Sequence, residues 1–316
     1  MTTLPYLDAD AVLRAISPRA AVEAIEVALR SGFDPSVDPE RVVVPTVHGQ
    51  MLLMPSEVGP AVGVKIAMVA PANPGRGLPR IQGTYVLFAA ETLTPVAIMD
   101  GAALTTIRTP AVSVAAVKSV LVETEAPLEI VVFGAGPQGV GHVATVAAVL
   151  EGRRPLGSVT YVVRNPGSVD PGLRAEAAVV AAGSTAANEA VRRAGLIVCA
   201  TTARTPLFGG TEVADGATVV AVGSHEPDAR ELDGTLLGRA DVIVDHSKTA
   251  LREAGDVIMA ISEGALVAGD LIPMAEVLTG RARLSGDRPV VFKSTGMSWE
   301  DLVIARIIVE WRSSEG

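Results

Sequence analysis

The sequence predicts an α/β fold: a doubly wound parallel sheet in the later part of the chain, joined to a mixed α+β region in the earlier part. Three observations carry this reading. Hydrophobic residues make up 49% of the 316 and aromatics only 3%, so the core must be filled by Val, Ile, Leu and Ala, the residues of buried parallel strands and the helices that cover them. Before about residue 100, strand-like runs follow one another without helices, which is the pattern of an antiparallel or mixed sheet. After Thr109 apolar strands and helices alternate, which is the pattern of parallel βα units. A chain of this length fits two domains.

Taken in order, Ser17 followed by Pro18 is an N-cap with proline in the first turn, and Gly32 closes the helix AAVEAIEVALRS. Strands follow at RVVVPT from Arg41, QMLLMP from Gln50, AVGVKIAMV from Ala61, IQGTYVLFA from Ile81 and PVAIMD from Pro95. The stretch PAVSVAAVKSVL then predicts a helix that begins near Thr109, with Pro110 in its first turn. Next come EIVVF, a helix from about Gln138 to Leu150, VTYVV, a helix around Ala175–Ala182, and the strands LIVCAT, TVVAVGS and DVIVD. The tail WEDLVIARIIVEWR spaces its apolar residues for a helix with one buried face, with Ser298 as its expected N-cap.

A net charge of −9 without a Lys/Arg cluster excludes a phosphate-backbone partner, so no nucleic acid is expected. No apolar window reaches the ~20 residues of a membrane span, and the start MTTLPYLDADAV lacks a basic, apolar leader; no membrane partner and a cytoplasmic location are expected. The lone Cys199 fits a reducing compartment and, in LIVCAT, reads as core. His48, His142, His225 and His246 have no metal-ligand spacing, so no metal is expected.

The segment EIVVFGAGPQGVGHVATVAAVL places a strand, G-x-G-x-x-G and a helix in that order. Gly134 permits the tight turn, Gly136 lets a pyrophosphate approach the backbone, and Gly139 lets helix and strand pack closely; Pro137 and Gln138 open the helix whose N-terminus faces the phosphates. This predicts a Rossmann-type NAD(P) site. Arg164 and Asn165 end the second strand, where an NAD-specific domain usually has an acid. An arginine there attracts the 2′-phosphate, so NADP(H) is favoured and NAD(H) remains possible.

Five segments resemble the ornithine cyclodeaminase and mu-crystallin family: VGVKIAMVAPANPGRGLP, PVAIMDGAALTTIRTPAVS, VVFGAGPQG, VGSHEPDARELD and VFKSTGMSWEDLVIA. They run in the family's order from about Arg41 to Ala305. The family includes cyclodeaminases, alanine dehydrogenases and reductases of cyclic and acyclic imines. The resemblance implies a homodimer, with a substrate-binding and dimerisation domain over 1–115 and 297–316 and an NAD(P)-binding domain over 116–296. It implies that Arg41, Lys65 and Arg108 surround a substrate carboxylate, with Thr84 a polar residue of the same pocket. It also implies that the loop holding Ser294 and Gly296 approaches the nicotinamide, and Thr201, at a strand's carboxyl end, joins the cofactor set. An arginine holds a carboxylate through paired hydrogen bonds, and a lysine in an apolar run such as GVKIAM has a depressed pKa useful for proton transfer.

One position departs from the cyclodeaminases. Where they carry an aspartate, this chain carries His225, a group able to relay a proton but different in charge and reach. The expected function is therefore NAD(P)H-dependent reduction of a small 2-imino acid, or reductive amination of a 2-oxo acid, with Lys65 and His225 as catalytic residues. Two alternatives stay open: an ornithine cyclodeaminase, and a non-catalytic NADPH-dependent ligand-binding protein. Met54, Met68 and Met297, as pocket-lining residues, point to an uncharged substrate side chain.

Overall fold

Alternating apolar residues set the first sheet. The computed structural model describes residues 4–315, with side-chain surroundings through Trp311; Met1–Thr3 and Gly316, the ends of the expected N-terminal domain, lie outside them. The elements run β1 (Tyr6–Leu7), α1 (Ala9–Arg14), α2 (Pro18–Arg30), β2 (Val42–Thr46), β3 (Gly49–Val58), β4 (Ala61–Val69), β5 (Ile81–Ala89), β6 (Pro95–Asp100) and α3 (Gly101–Leu121). The side chain of Ser17 caps α2 by accepting from the Ala20 N–H. Strands β2 to β6 form an antiparallel meander and β1 adds in parallel beside β6, giving a mixed six-stranded sheet.

Helix α3 starts eight residues earlier than the sequence predicts, so Pro110 lies inside it rather than in its first turn. The start is set by Asp100, whose carboxylate accepts from the Ala103 N–H at 2.7 Å. The β-branched run Thr105, Thr106, Ile107 disguised the first turns as non-helical. Pro110 itself is buried.

From Ser113 the chain forms a second unit: β7 (Leu128–Phe133), α4 (Pro137–Leu150), β8 (Leu156–Val163), α5 (Pro171–Glu176), β9 (Ala178–Ala181), α6 (Thr185–Arg193), β10 (Leu196–Cys199), β11 (Thr218–Ala221), α7 (Gly234–Arg239), β12 (Asp241–Val244), α8 (Ser247–Glu253), α9 (Gly255–Ser262), β13 (Ile272–Pro273), α10 (Met274–Leu278) and β14 (Val290–Lys293). Its eight strands are all parallel in the order β13-β12-β14-β11-β10-β7-β8-β9. The chain order reverses between β7 and β10, the switch point at which doubly wound sheets bind ligands. The helix expected around Ala175–Ala182 is instead α5, a turn and the edge strand β9. Val179 and Val180 are β-branched and pair with Tyr161 and Val162 of β8, so sheet pairing overrides the alanine-rich helical appearance. Cys199 is buried in the core.

The first compact unit is Met1–Val112 with Gly296–Gly316, and the second is Ser113–Thr295. Helix α11 (Ser298–Glu315) belongs to the first and packs on β3, β4 and α2. It places Trp299, Glu300, Asp301 and Leu302, all fully buried, against one face of the first sheet. Among the described residues no helix is long and apolar enough to cross a membrane.

Candidate functional site

The glycine turn at the end of β7 is built by close approach. Gly134 has φ of +101°, and a Cβ there would stand 2.6 Å from the Ala200 carbonyl oxygen. A Cβ at Gly139 would stand 2.1 Å from the Gly134 carbonyl oxygen, so only glycine lets α4 leave the strand at this angle. Gly136 differs: nothing lies within 4 Å of its missing Cβ, and as N-cap of α4 it offers no side-chain acceptor to the helix's first N–H groups. These amides, next to Pro137 and Gln138, suit an anion supplied from outside the chain. A dinucleotide diphosphate fits that cradle.

Around this turn the carboxyl ends of β10, β11 and β14 carry Thr201, His225 and Ser294. Thr201 donates from its N–H and Oγ1 to Glu231 at 2.8 and 2.7 Å. His225 is half-buried in the loop after β11. Ser294 is buried, its N–H held by the Ala221 carbonyl, and the next residue, Thr295, donates to Asp245 at the end of β12 at 2.8 Å. Asp228 is exposed and ion-paired with Arg204, which also holds Glu226. Arg164 is exposed immediately beyond β8; Asn165 caps the next turn by accepting from the Gly167 N–H.

In the first unit three predicted cations converge. Lys65 is 3% exposed and donates to Asp301 at 2.6 Å, with Thr105 Oγ1 at 3.4 Å. Arg108 donates to Glu300 at 2.8 Å, and its Nε lies 3.4 Å from Asp301 Oδ1. Arg41, half-buried, donates to the Gly296 carbonyl. Gly296, at φ +76°, leaves room for the guanidinium: a Cβ would meet Arg108 Nη1 at 2.5 Å. Burial lowers Lys65 to about 8 against the pull of Asp301, with Arg108 and Arg41 lowering it further. A lysine so placed is mostly protonated at neutral pH yet releases its proton readily.

Thr84 does not join this group. The β4–β5 register pairs Lys65 with Tyr85 and Ile66 with Thr84, so strand alternation turns Thr84 to the other face of the sheet. Met68 is likewise on that other face and 38% exposed, while Met54, opposite Lys65 in the register, and Met297 are buried.

Sequence reasoning missed the groups that hold these cations. It passed over Glu300 and Asp301. It assigned the cap of α11 to Ser298, whereas Asp38, from the loop before β2, accepts from the backbone N–H groups of Ser298 and Trp299, the latter at 3.1 Å. Asp38 also accepts from Ser56 Oγ at 2.6 Å. Burial raises its carboxyl to about 6 despite these hydrogen bonds. Beside it the fully buried Tyr85 hydroxyl, close to Gly63, is pushed well above its ordinary range by desolvation and by Asp301 and Asp38. A faint signal was present: acids in the otherwise apolar run MSWEDLVIA require buried partners. Among the described residues no group of three or more His, Cys, Asp or Glu is arranged to hold a metal.

Comparison with known proteins places the chain among its relatives. The sequence profile of the ornithine cyclodeaminase/mu-crystallin family matches residues 7–316. The chain is 33% identical over 273 residues to a Delta(1)-pyrroline-2-carboxylate reductase of Colwellia psychrerythraea, covering 83% of this chain and 84% of that one. It is 31% identical over 287 residues to the ketimine reductase mu-crystallin of Mus musculus, covering 88% and 87%. Its fold matches a Thermococcus litoralis Delta(1)-pyrroline-2-carboxylate reductase solved with NADH and L-proline, at a TM-score of 0.87, 26% identity and coverage of 99% and 98%. The protein belongs to the ornithine cyclodeaminase/mu-crystallin family.

Proposed function

We propose that this protein is an NAD(P)H-dependent reductase of a small 2-imino acid, converting it to the amino acid. The observation that carries the reading is the group Arg41, Lys65 and Arg108, with Lys65 and Arg108 buried against Glu300 and Asp301 and Arg41 half-buried on the Gly296 carbonyl: three cations set against two carboxylates, matched to a substrate that brings a carboxylate of its own. Its relatives include reductases of cyclic 2-imino acids. NAD(P)H, when bound at the glycine turn, supplies the hydride that the imine carbon accepts. Arg108 and Arg41 hold the substrate carboxylate and so fix the adjacent imine carbon. Lys65 holds a proton on Nζ for the imine nitrogen, and Asp301 steadies the ammonium until that proton moves. His225 relays protons at the edge of the second unit.

For the cofactor, Arg164 at the end of β8, with no acid at that strand end, supports NADPH over NADH. A homodimer is supported by the outer face of the first sheet, where Leu53, Val64, Ile66, Val86 and Phe88 are only half-buried and a second copy of the same face would cover them. The substitution of His225 for an acid disfavours cyclodeamination. The test is consumption of NADPH or NADH with a panel of cyclic and acyclic 2-imino acids, and with 2-oxo acids plus ammonia. Turnover on a 2-imino acid is expected; proline and ammonia formed from ornithine without added reductant would replace this reading with the cyclodeaminase one, and ligand binding without cofactor oxidation would replace it with a binding protein.

A further inference from the structure

The second unit holds a dry cluster of charges beneath the strand ends that the reading above does not use. Glu231, Asp256 and Lys293 are at most 1% exposed. Glu231 accepts from both Thr201 donors through Oε1, and from the Gly223 N–H through Oε2 at 2.8 Å. Asp256 accepts from the Glu231 and Leu232 N–H groups at 2.7 and 2.9 Å and lies 3.0 Å from Lys293 Nζ. Lys293 donates to the Ser224 carbonyl at 2.6 Å. Since Thr201 follows β10, Gly223 and Ser224 follow β11, and Lys293 ends β14, the cluster ties three neighbouring strand ends together.

With both carboxylates ionised, the cluster carries one negative charge more than its ammonium balances. Three donors converge on the two Glu231 oxygens, two on Oε1 and one on Oε2, and such hydrogen bonds favour the ionised carboxylate over the protonated one. Burial, with Asp256 beside it, raises the Glu231 carboxyl above its ordinary range, although Lys293 and the Thr201 donors pull it down. A surplus charge in a dry interior is costly, and stitching strand ends does not require one. In a doubly wound sheet the diphosphate sits at the switch point, here between β7 and β10, and the two nucleotide halves run to opposite sides. With Arg164 marking the adenosine side over β8, the nicotinamide side falls to β10, β11 and β14, above this cluster.

Resting on the dinucleotide reading, we propose that Glu231 is a positioning residue whose surplus negative charge, held under the Thr201 and Gly223 loops, favours the oxidised nicotinamide and so makes the bound reduced cofactor a stronger hydride donor. The charge balance is simple: one hydride passes to the imine carbon, one proton passes to the imine nitrogen, and the ring that gave the hydride gains one positive charge, which the buried negative charge stabilises.

The test uses the full chain without substrate, measuring dissociation constants for oxidised and reduced cofactor. Glu231→Gln is expected to raise the ratio of the oxidised to the reduced constant about tenfold, equivalent to about 30 mV in the bound couple, while Glu231→Asp, which keeps the charge, leaves that ratio near the wild-type one. A structural brace alone would weaken both forms equally. An unchanged ratio in Glu231→Gln, as a protonated Glu231 would also give, overturns the proposal. If that variant does not fold, Lys293→Gln, which adds a surplus negative charge, must lower the ratio; an unchanged or raised ratio overturns the proposal. Failure of the wild type to bind either form overturns the dinucleotide reading itself.

Discussion

Replacing Asp301 with asparagine keeps the shape of the Lys65 pair and removes one of its charges. The two groups are 2.6 Å apart, so at an effective dielectric of about 20 their gross attraction is about 6 kcal/mol. Lys65 stands near 8 because desolvation outweighs that attraction. Losing half of it, about 3 kcal/mol, moves the ammonium by roughly two pKa units, from about 8 to about 6. Imine reduction needs the protonated form, so kcat/KM in that direction falls above the pKa of the acid. The wild-type basic limb is expected near pH 8 and that of Asp301→Asn near pH 6, with a rate at pH 7 about tenfold lower. Stability follows the same sign. A folded-state lysine pKa below its unfolded value means the folded form binds fewer protons, so stability rises with pH from about 8 upward in the wild type, and from about 6 upward in the variant. The assay is a pH profile of kcat/KM with a matching series of Tm values. A variant whose basic limb stays near 8 would refute the claim that Asp301 sets the proton affinity of Lys65.

Three further outcomes follow from the geometry. Gly136→Ala should fold with an unchanged Tm, because its Cβ meets no protein atom, yet lose cofactor affinity; Gly139→Ala should lower Tm as well, because its Cβ strikes the Gly134 carbonyl, and calorimetry with cofactor titration separates the two. Arg164→Asp should reverse a preference for NADPH into one for NADH, read from the two Kd values. Asp38→Ala, which removes the cap of α11 and the partner of Ser56, should cost about 1–2 kcal/mol in denaturant unfolding.

The strands β2 to β6, β7, β8 and β10 to β12 could be read from the sequence because each is a short apolar or alternating run bounded by turn residues, and the glycine turn because its strand and helix flank it in order. The start of α3 could not, because Thr105 and Thr106 argue locally against helix and Pro110 imitates a beginning. Strand β9 was hidden by alanines whose strand conformation depends on the neighbouring β8. In the site, Lys65 and Arg108 stood out as cations in apolar segments. Their partners Glu300 and Asp301 lie some 190 to 240 residues away in sequence, and Asp38 sits in a loop, so only the tertiary fold brings them together. Thr84 shows the converse: the residue was placed by resemblance, and a one-residue alternation turns it from the face that holds Lys65.

The central claim is that a dinucleotide whose diphosphate binds at the glycine turn gives a hydride to the α-carbon of a carboxylate-bearing imine held by Arg41, Lys65 and Arg108. Reduction of a cyclic 2-imino acid with cofactor carrying deuterium at both C4 positions of the dihydronicotinamide tests it most directly. One deuterium at the α-carbon of the amino acid product, lost together with turnover in Lys65→Met while cofactor still binds, is the predicted result. Product without the label, or full turnover in Lys65→Met, would contradict it.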